Sequence, residues 1–294
     1  MTVNISFHGF WPTFNPQNNF FKKAMQDYFV GEEVVIVDDH KKADYVIYTV
    51  FGSLSGVDTG KAKRIFFTGE VNERYPNKYF YIDGDIFLGF KETDLTTSTY
   101  RLPTWMQYID WWSPEEVQKI NDLTKIQDPS KTLNRQRACC IVASNPTRNR
   151  IEVAISLNEN VFPVDGYGYV FQNPIPNDGE TKNKDKRELL ENYIFNICFE
   201  NTNSVGYVTE KLFDAKFCGC IPIYWGDEWA KKDFNEDCFI NYDDFSSHQE
   251  FLDYMKQLVS SSSALEEIAS QPLFKKAPSL DGLYNFFDDI KLKG

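Results

Sequence analysis

The sequence predicts an α/β protein of two domains, each with a mainly parallel β-sheet flanked by helices. Short apolar strands alternate with helical stretches along most of the 294 residues, a pattern that is typical of parallel sheets. This length suffices for two hydrophobic cores, since a domain commonly has about 100 to 200 residues. A polar, charged stretch over residues 113–137 separates two regions of the alternating pattern. We therefore predict an N-terminal α/β domain over residues 1–125 and a C-terminal α/β domain over residues 126–294.

The N-terminal domain is predicted to begin with a strand and a helix, which a series of strands follows. The helix, over residues 18–29, has apolar side chains at helical spacing. The predicted strands cover residues 3–7, 33–37, 45–48, 64–68, 79–80 and 86–90. Before the last strand, Asp83-Gly84-Asp85 is interpreted as a hairpin turn, because Asp-Gly is a strong signal for a tight turn.

The C-terminal domain is predicted to continue the alternation. Its elements are, in order, a strand over 138–143, a turn at 144–146, a helix over 148–157, a surface loop over 173–186, a strand ending at 199, and helices near 247–259 and 265–269. The turn follows from its Ser-Asn-Pro composition, and the loop from its Asn, Pro and Lys residues.

The most informative segment is 199–227, in which a polar loop leads into a helix and then a strand. Free N–H groups and the dipole at a helix N-terminus favour a bound anion such as phosphate. Thr209 is the predicted N-cap, and Lys211 adds a positive charge in the first turn. Glu210 is suited to accept hydrogen bonds from ribose or sugar hydroxyls, and Tyr207 to cover a base. The alternative is structural, with a capping threonine, a solvated lysine and a core tyrosine, but the whole constellation favours the functional interpretation.

Further polar residues follow predicted strands, whose carboxyl ends line the ligand crevice in open α/β sheets. Glu70 follows the strand over 64–68 and is a candidate general base. Arg148 and Arg150 follow the first strand of the C-terminal domain, and either could bind a diphosphate through paired N–H groups. The alternatives are a glutamate in a surface loop and an ordinary solvated helix start.

Charge and composition exclude some classes of function. A net charge of −12 and a pI near 4.8 argue against a protein that grips nucleic acid, which needs a basic face. A small anionic ligand remains compatible, because a pocket can be locally basic. The N-terminal sequence lacks a signal-peptide pattern, and no stretch approaches the roughly 20 apolar residues of a membrane span. We therefore expect a cytoplasmic protein without an integral membrane segment; peripheral association with an inner membrane is compatible with this.

No metal site is predicted. Asp83 and Asp85 invite a DxD site for a divalent cation, but the turn interpretation is preferred, since a lysine and an arginine already supply positive charge. The histidines His8, His40 and His248 have no partner at ligand spacing and are interpreted as solvated or structural. The six cysteines include no CxxC pair and are expected to be buried free thiols.

The motifs resemble those of a known enzyme family. The segments FEN at 199–201, GYVTEK at 206–211 and IPIYWG at 221–226 resemble the signature of the α-1,3-fucosyltransferases of glycosyltransferase family 10. Residues 67–70 resemble the base motif of that family, and Ser144-Asn145 with a following arginine resembles the start of its second domain. The resemblance implies a GT-B fold, with two Rossmann-like domains facing a central cleft. The N-terminal domain would bind the acceptor and the C-terminal domain the GDP-sugar.

The resemblance also implies an activity, the inverting transfer of fucose from GDP-fucose with no metal or other cofactor. The acceptor would be O3 of an N-acetylglucosamine or glucose unit in a lactosamine-type glycan, as in lipopolysaccharide, glycoproteins and Lewis antigens. Glu70 would be the general base. The donor-binding residues would be Arg148, Arg150, Asn201, Tyr207, Thr209, Glu210 and Lys211. Within this set, Arg150 is preferred over Arg148 for the pyrophosphate.

The acceptor site is the part of the resemblance that rests on the fewest residues. In the N-terminal region only residues 8–11 align, which makes His8 and Trp11 the acceptor-binding candidates. Two alternatives stay open, transfer of a different GDP-linked sugar and an inactive glycan-binding protein. A glycoside hydrolase is disfavoured, because its paired carboxylates would not require a phosphate-binding helix start.

Overall fold

The computed structural model describes residues 2–71, 85–90, 98–145, 147–168, 171 and 182–292. The chain forms two compact units, Met1–Pro114 together with Ser279–Gly294, and Glu115–Pro278. Each unit contains a parallel sheet with helices, as the alternating pattern predicts. The division differs from the predicted one, because the second unit begins at Glu115 rather than at residue 126. The C-terminal segment, moreover, belongs to the first unit.

In its described residues, the first unit has a six-stranded parallel sheet of order β2-β1-β3-β4-β5-β6. The strands are β1 Thr2–His8, β2 Glu33–Ile36, β3 Tyr45–Thr49, β4 Lys63–Thr68, β5 Ile86–Gly89 and β6 Thr99–Arg101. The helices are α1 Phe20–Tyr28 and α10 Asp281–Asp289, with short 3-10 turns at His40–Lys42 and Thr104–Tyr108. Every residue of β3 is buried, as expected for a central parallel strand with both faces covered.

The helices α1 and α10 share the hydrophobic core of this sheet. The Asn19 side chain caps α1 by accepting the backbone N–H of Lys22 at 2.9 Å. The buried residues of α1 recur at helical spacing, at Phe21, Ala24, Met25 and Tyr28. Leu283 and Phe287 of α10 are also buried, and they line the same small internal cavity as Met25. The C-terminal helix is therefore part of the first unit's core.

The second unit has, among its described residues, a five-stranded parallel sheet of order β11-β10-β9-β7-β8. The strands are β7 Arg137–Val142, β8 Val164–Tyr167, β9 Tyr193–Ile197, β10 Ile221–Tyr224 and β11 Ile240–Asn241. The helices are α2 Pro114–Asp122, α3 Ser130–Leu133, α4 Arg148–Asn160, α5 Lys182–Leu190, α6 Glu210–Phe217, α7 Ala230–Asp233, α8 His248–Val259 and α9 Ser262–Ser270. Apolar residues of β7, β9 and β10 pack with α4 and α8 in one core.

The polar stretch at 113–137 contains the short helices α2 and α3, whose faces are mostly exposed; Ile120 is the buried residue of α2. The predicted surface loop at 173–186 is wrong in its last part, because α5 begins at Lys182. Its residues 173–181 lie outside the described ranges.

The hairpin turn predicted at residues 83–85 begins at Asp83 and Gly84, which lie outside the described residues, as does the strand predicted at 79–80. β5 pairs in parallel with β4 along one edge and with β6 along the other. The strands β6, β8 and β11 are not predicted from the sequence.

All six cysteines are buried free thiols, as predicted. Burial raises the pKa of the Cys140 thiol to about 12, so this thiol is neutral at physiological pH. Within the described ranges, no helix combines the length and the hydropathy needed to cross a membrane.

Candidate active site

A buried carboxylate organises the junction between β9 and α6. Glu200 has no exposed surface. One of its oxygens, Oε1, accepts the backbone N–H of Thr209 at 2.7 Å, and the other, Oε2, accepts the Thr209 hydroxyl at 2.6 Å. Thr209 is the N-cap of α6, as predicted, but its hydroxyl bonds Glu200 instead of capping the helix. Sequence reasoning gave Glu200 no role, although a carboxylate close behind a buried strand is a signal for one.

Lys211 is held beside the same carboxylate. Its ammonium nitrogen lies 3.0 Å from Glu200 Oε2 and donates to the Thr209 hydroxyl at 2.7 Å. A lysine in the first turn of a helix is unfavourable with respect to the helix dipole, and the Glu200 charge offsets this. The Lys211 side chain stays 18% exposed. The amino end of α6 therefore presents one positioned cation that a ligand can reach.

Glu210 lies between two ammonium groups. Its Oε1 is 3.7 Å from the Lys211 nitrogen and 3.6 Å from the Lys186 nitrogen. Burial opposes ionisation of Glu210, but Lys211 and Lys186 outweigh it and hold the pKa at about 2. Glu210 is therefore an ionised hydrogen-bond acceptor at neutral pH.

Lys186 connects Glu210 to a buried network of ion pairs around Asp214. Lys186 donates to Asp214 at 2.8 Å, and Arg187 donates to the other oxygen of Asp214 at 3.1 Å. Burial disfavours the charged form of Lys186, yet Asp214 and Glu210 outweigh it and raise the pKa. Sequence reasoning placed Lys186 at the end of a surface loop and missed this role, which no local pattern signals.

The loop before α6 is anchored by Asp227. The backbone N–H of Gly206 donates to Asp227 Oδ1 at 2.8 Å, and Gly206 has a φ of 76°, a region that favours glycine. On this loop Tyr207 is 3% exposed, while Asn201 is half-buried. The tyrosine is therefore part of the packed loop rather than an open surface.

Arg150 supports the backbone at the carboxyl ends of β7 and β9. It is 4% exposed, and it donates to the Phe199 carbonyl through Nε at 3.1 Å and through Nη2. A third bond joins Nη1 to the Asn145 carbonyl at 3.2 Å. Burial lowers the pKa of Arg150. These bonds commit the guanidinium to the protein and disfavour Arg150 as the pyrophosphate ligand; Arg148, the first residue of α4, is the alternative.

In the first unit, Glu70 lies at the carboxyl end of β4, where the sequence predicts it. The Thr68 hydroxyl accepts the Glu70 N–H at 3.1 Å and donates to the Glu70 carbonyl at 2.9 Å, which fixes the turn. A Cβ at Gly69 would lie 3.2 Å from Thr104 Oγ1, so the 3-10 turn packs closely here. Among the described residues, the Thr104 hydroxyl and the Gln107 amide nitrogen are buried without a hydrogen-bond partner. Buried polar atoms without a protein partner are uncommon, and water or a ligand can complete their hydrogen bonds.

Two histidines bond each other at the carboxyl end of β1. His8 Nε2 lies 3.0 Å from the Ser53 carbonyl, His8 Nδ1 lies 3.3 Å from His40 Nε2, and His40 Nδ1 lies 3.0 Å from Ser6 Oγ. Because a carbonyl only accepts, Nε2 of His8 carries the proton and Nδ1 accepts from His40. Both ring nitrogens of His8 are thus engaged, which disfavours its predicted contact with an acceptor. Trp11 remains 41% exposed.

Of the two aspartates of the DxD sequence, the structure describes Asp85, and the surroundings of this residue do not suit a metal ligand. Asp85 is fully buried, and it accepts hydrogen bonds from the Tyr48 hydroxyl and from Arg64. In the part of the chain that is described, no three or more His, Cys, Asp or Glu side chains gather as a metal site.

Two family models match the chain. Residues 132–268 match the C-terminal model of glycosyltransferase family 10 (fucosyltransferase), and residues 5–108 match the alpha-(1,3)-fucosyltransferase FucT N-terminal domain. The chain belongs to glycosyltransferase family 10. The family that the motifs at 199–226 predict is thereby confirmed.

Family 10 proteins of known sequence or structure are similar along nearly the whole chain. The alpha-(1,3)-fucosyltransferase FucT of Helicobacter pylori is 32% identical over 293 residues, which cover 90% of this chain and 59% of that protein. The chain thus spans about 59% of the length of this curated relative.

Two crystal structures that are similar to this chain contain GDP or GDP-fucose. An alpha1,3-fucosyltransferase with GDP is 26% identical, with a TM-score of 0.70 over 100% of this chain and 91% of that chain. The structure with GDP-fucose is 26% identical, with a TM-score of 0.68 over 98% and 90%. Together with the two parallel sheets, these matches confirm the GT-B type of fold with two Rossmann-like domains.

Proposed function

We propose that this family 10 chain is an inverting α-1,3-fucosyltransferase. It transfers L-fucose from GDP-fucose to O3 of an N-acetylglucosamine or glucose unit in a lactosamine-type glycan. The observation that carries the proposal is the amino end of α6, where buried Glu200 holds a partly exposed Lys211. The complexes of similar structures with GDP and GDP-fucose support this donor.

The donor diphosphate binds at the amino end of α6. Its negative charge is favoured by the dipole of the helix and by the Lys211 ammonium, which turns from Glu200 toward the phosphate oxygens. Arg148 provides the second cation, since the guanidinium of Arg150 is committed to two backbone carbonyls. The ionised Glu210 accepts hydrogen bonds from ribose or fucose hydroxyls.

The loop before α6 completes the donor site. Asn201 lies against the guanosine, and the buried Tyr207 packs the loop that carries it. Thr209 belongs to the site through its bonds to Glu200 and Lys211. The hydrogen bond from Gly206 to Asp227 restrains this loop in the absence of the donor. A loop fixed in advance loses less entropy on binding.

Glu70 is the general base. It removes the proton from the acceptor O3 as this oxygen attacks the anomeric carbon of fucose. The bond between that carbon and the β-phosphate oxygen breaks, and GDP leaves with the electron pair. Attack opposite the leaving group inverts the anomeric configuration. Lys211 and Arg148 stabilise the charge that develops on GDP, so the reaction requires no metal ion.

The test is transfer from GDP-fucose to N-acetyllactosamine in the presence of EDTA, with the linkage of the product determined by NMR. We expect an α-1,3-linked product with the chelator present. Glu70→Gln should lower kcat at least about 100-fold and leave the Kd for GDP unchanged. Glu33→Gln, an exposed change in the same unit, is the matched control.

Three outcomes contradict parts of the proposal. A Glu70→Gln enzyme with the wild-type rate rejects the base. Transfer from another GDP-linked sugar, but not from GDP-fucose, rejects the donor. Glycan binding without transfer from any GDP-sugar indicates an inactive glycan-binding protein.

A further inference from the structure

Two large aromatic side chains are exposed at the edge of the first unit's sheet where Glu70 lies. Trp11 is 41% exposed and Phe51 is 40% exposed, whereas most aromatic residues of this unit are buried or half-buried. We propose that Trp11 and Phe51 form a platform for the sugar ring next to the one that receives fucose. This inference rests on the proposed function and identifies the acceptor side of the same site.

The register of the sheet places both residues beside Glu70. His8 pairs with Tyr48 across β1 and β3, and Tyr48 pairs with Phe66 across β3 and β4. Trp11 follows the carboxyl end of β1, Phe51 that of β3 and Glu70 that of β4. Adjacent strands are about 5 Å apart, so the ends of β3 and β1 lie about 5 and about 10 Å to the side of the β4 end that leads to Glu70.

The loops that carry the two aromatic residues are fixed to each other. Gly9 has a φ of 64°, and a Cβ there would lie 2.4 Å from the Cα of Gly52, so the two backbones touch. The Thr49 hydroxyl donates to the Gly9 carbonyl, and His8 donates to the Ser53 carbonyl at 3.0 Å. Gly9, two residues before Trp11, and Gly52, the residue after Phe51, are thus held against each other in the absence of a ligand.

The Trp11 ring is supported from behind by other aromatic rings. Its centroid lies 5.6 Å from that of Phe10 and 5.3 Å from that of Phe14. Phe10 in turn contacts Phe21, and Phe21 contacts Phe67 of β4 at 4.9 Å. A continuous aromatic layer therefore connects Trp11 to the strand that ends at Glu70.

The chemistry of this surface fits a pyranose ring. An aromatic side chain offers a rigid, flat apolar area with few rotatable bonds to order. The C–H face of a sugar matches that area, and the sugar hydroxyls remain in water at its rim. An aromatic surface at the same end of the sheet as the proposed general base is therefore suited to the second ring of a glycan acceptor.

The test compares two acceptors in the same assay, N-acetyllactosamine and N-acetylglucosamine. Trp11→Ala and Phe51→Ala should each lower kcat/KM for the disaccharide by about three- to tenfold, the value of one lost aromatic contact. The monosaccharide kcat/KM and the Kd for GDP should stay within about twofold. Trp11→Phe should retain most of the disaccharide activity. Tyr254→Ala, at a residue 37% exposed in the second unit, is the matched control.

The platform is rejected if Trp11→Ala and Phe51→Ala lower kcat/KM equally for both acceptors, or if they lower it for neither. If the wild-type protein transfers no fucose, the proposed function fails, and the platform is then decided by saturation-transfer NMR with N-acetyllactosamine and GDP. The platform is supported if the wild-type protein contacts the galactose ring and Trp11→Ala abolishes this contact. It is rejected if the contact persists in Trp11→Ala. Dimerisation that depends on Trp11 and no sugar contact would assign the surface to a second copy of the chain instead.

Discussion

The Lys211 ammonium lies 3.0 Å from the buried carboxylate of Glu200, so one buried residue sets the position of the cation that the proposed donor requires. The same carboxylate accepts the N–H and the hydroxyl of Thr209. Helix start and cation are thereby positioned together. Replacing Glu200 should consequently affect both stability and donor binding.

Glu200→Gln should lower the free energy of unfolding by about 3 kcal/mol, because it removes the buried negative charge that compensates the Lys211 ammonium. The amide also presents N–H groups to Lys211, so the Kd for GDP should rise. Chemical denaturation and calorimetric titration with GDP measure the two effects. Glu228→Gln, an exposed change in the same unit, should alter neither. An unchanged unfolding free energy would show that Glu200 is dispensable.

Replacing Arg148 should weaken donor binding, whereas replacing Arg150 should lower stability. Arg150→Ala removes two hydrogen bonds to the buried Phe199 carbonyl and one to the part-buried Asn145 carbonyl, and it should lower the free energy of unfolding by about 2 to 4 kcal/mol. Arg148→Ala should weaken GDP binding at least about tenfold. Thermal unfolding and GDP titration of both variants check this. The reverse pattern would restore Arg150 as the pyrophosphate ligand.

The C-terminal helix α10 should be essential to the first unit. Phe287 is 2% exposed in the shared core with α1, and Phe287→Ala should cost about 3 to 5 kcal/mol of unfolding free energy. Denaturant titration measures the loss. Ile126→Ala, at a residue 70% exposed, should change stability by less than about 0.5 kcal/mol. If both variants unfold alike, α10 does not contribute to the core in solution.

His40 should make stability depend on pH on the acidic side of neutrality. Burial and the neighbouring His8 lower the pKa of His40 below its unfolded value of about 6.5. The unfolded chain thus binds the proton more readily, and the unfolding free energy should fall as pH drops from about 6.5 toward the folded pKa. Denaturant titrations at pH 7.5 and 5.5 measure the difference. His40→Asn should flatten this dependence, and an unaltered slope would assign it to other groups.

Local patterns predicted much of the fold. The alternation of apolar strands and helices indicated two parallel α/β units, and capping chemistry placed Thr209 at the start of α6. The same patterns misjudged the end of the predicted loop at 173–186, where α5 begins at Lys182, because a polar helix and a surface loop share their composition.

The sequence by itself determined the family, the α/β class and the candidate residues of the site, because these depend on short motifs and on local periodicity. Only the tertiary structure decided what holds those residues. Glu200 and Lys211 are 11 positions apart, His8 and His40 are 32 apart, and Arg150 and Phe199 are 49 apart. Such pairs meet because parallel strands bring distant carboxyl ends to one edge of a sheet, and no local pattern records which partners will meet there.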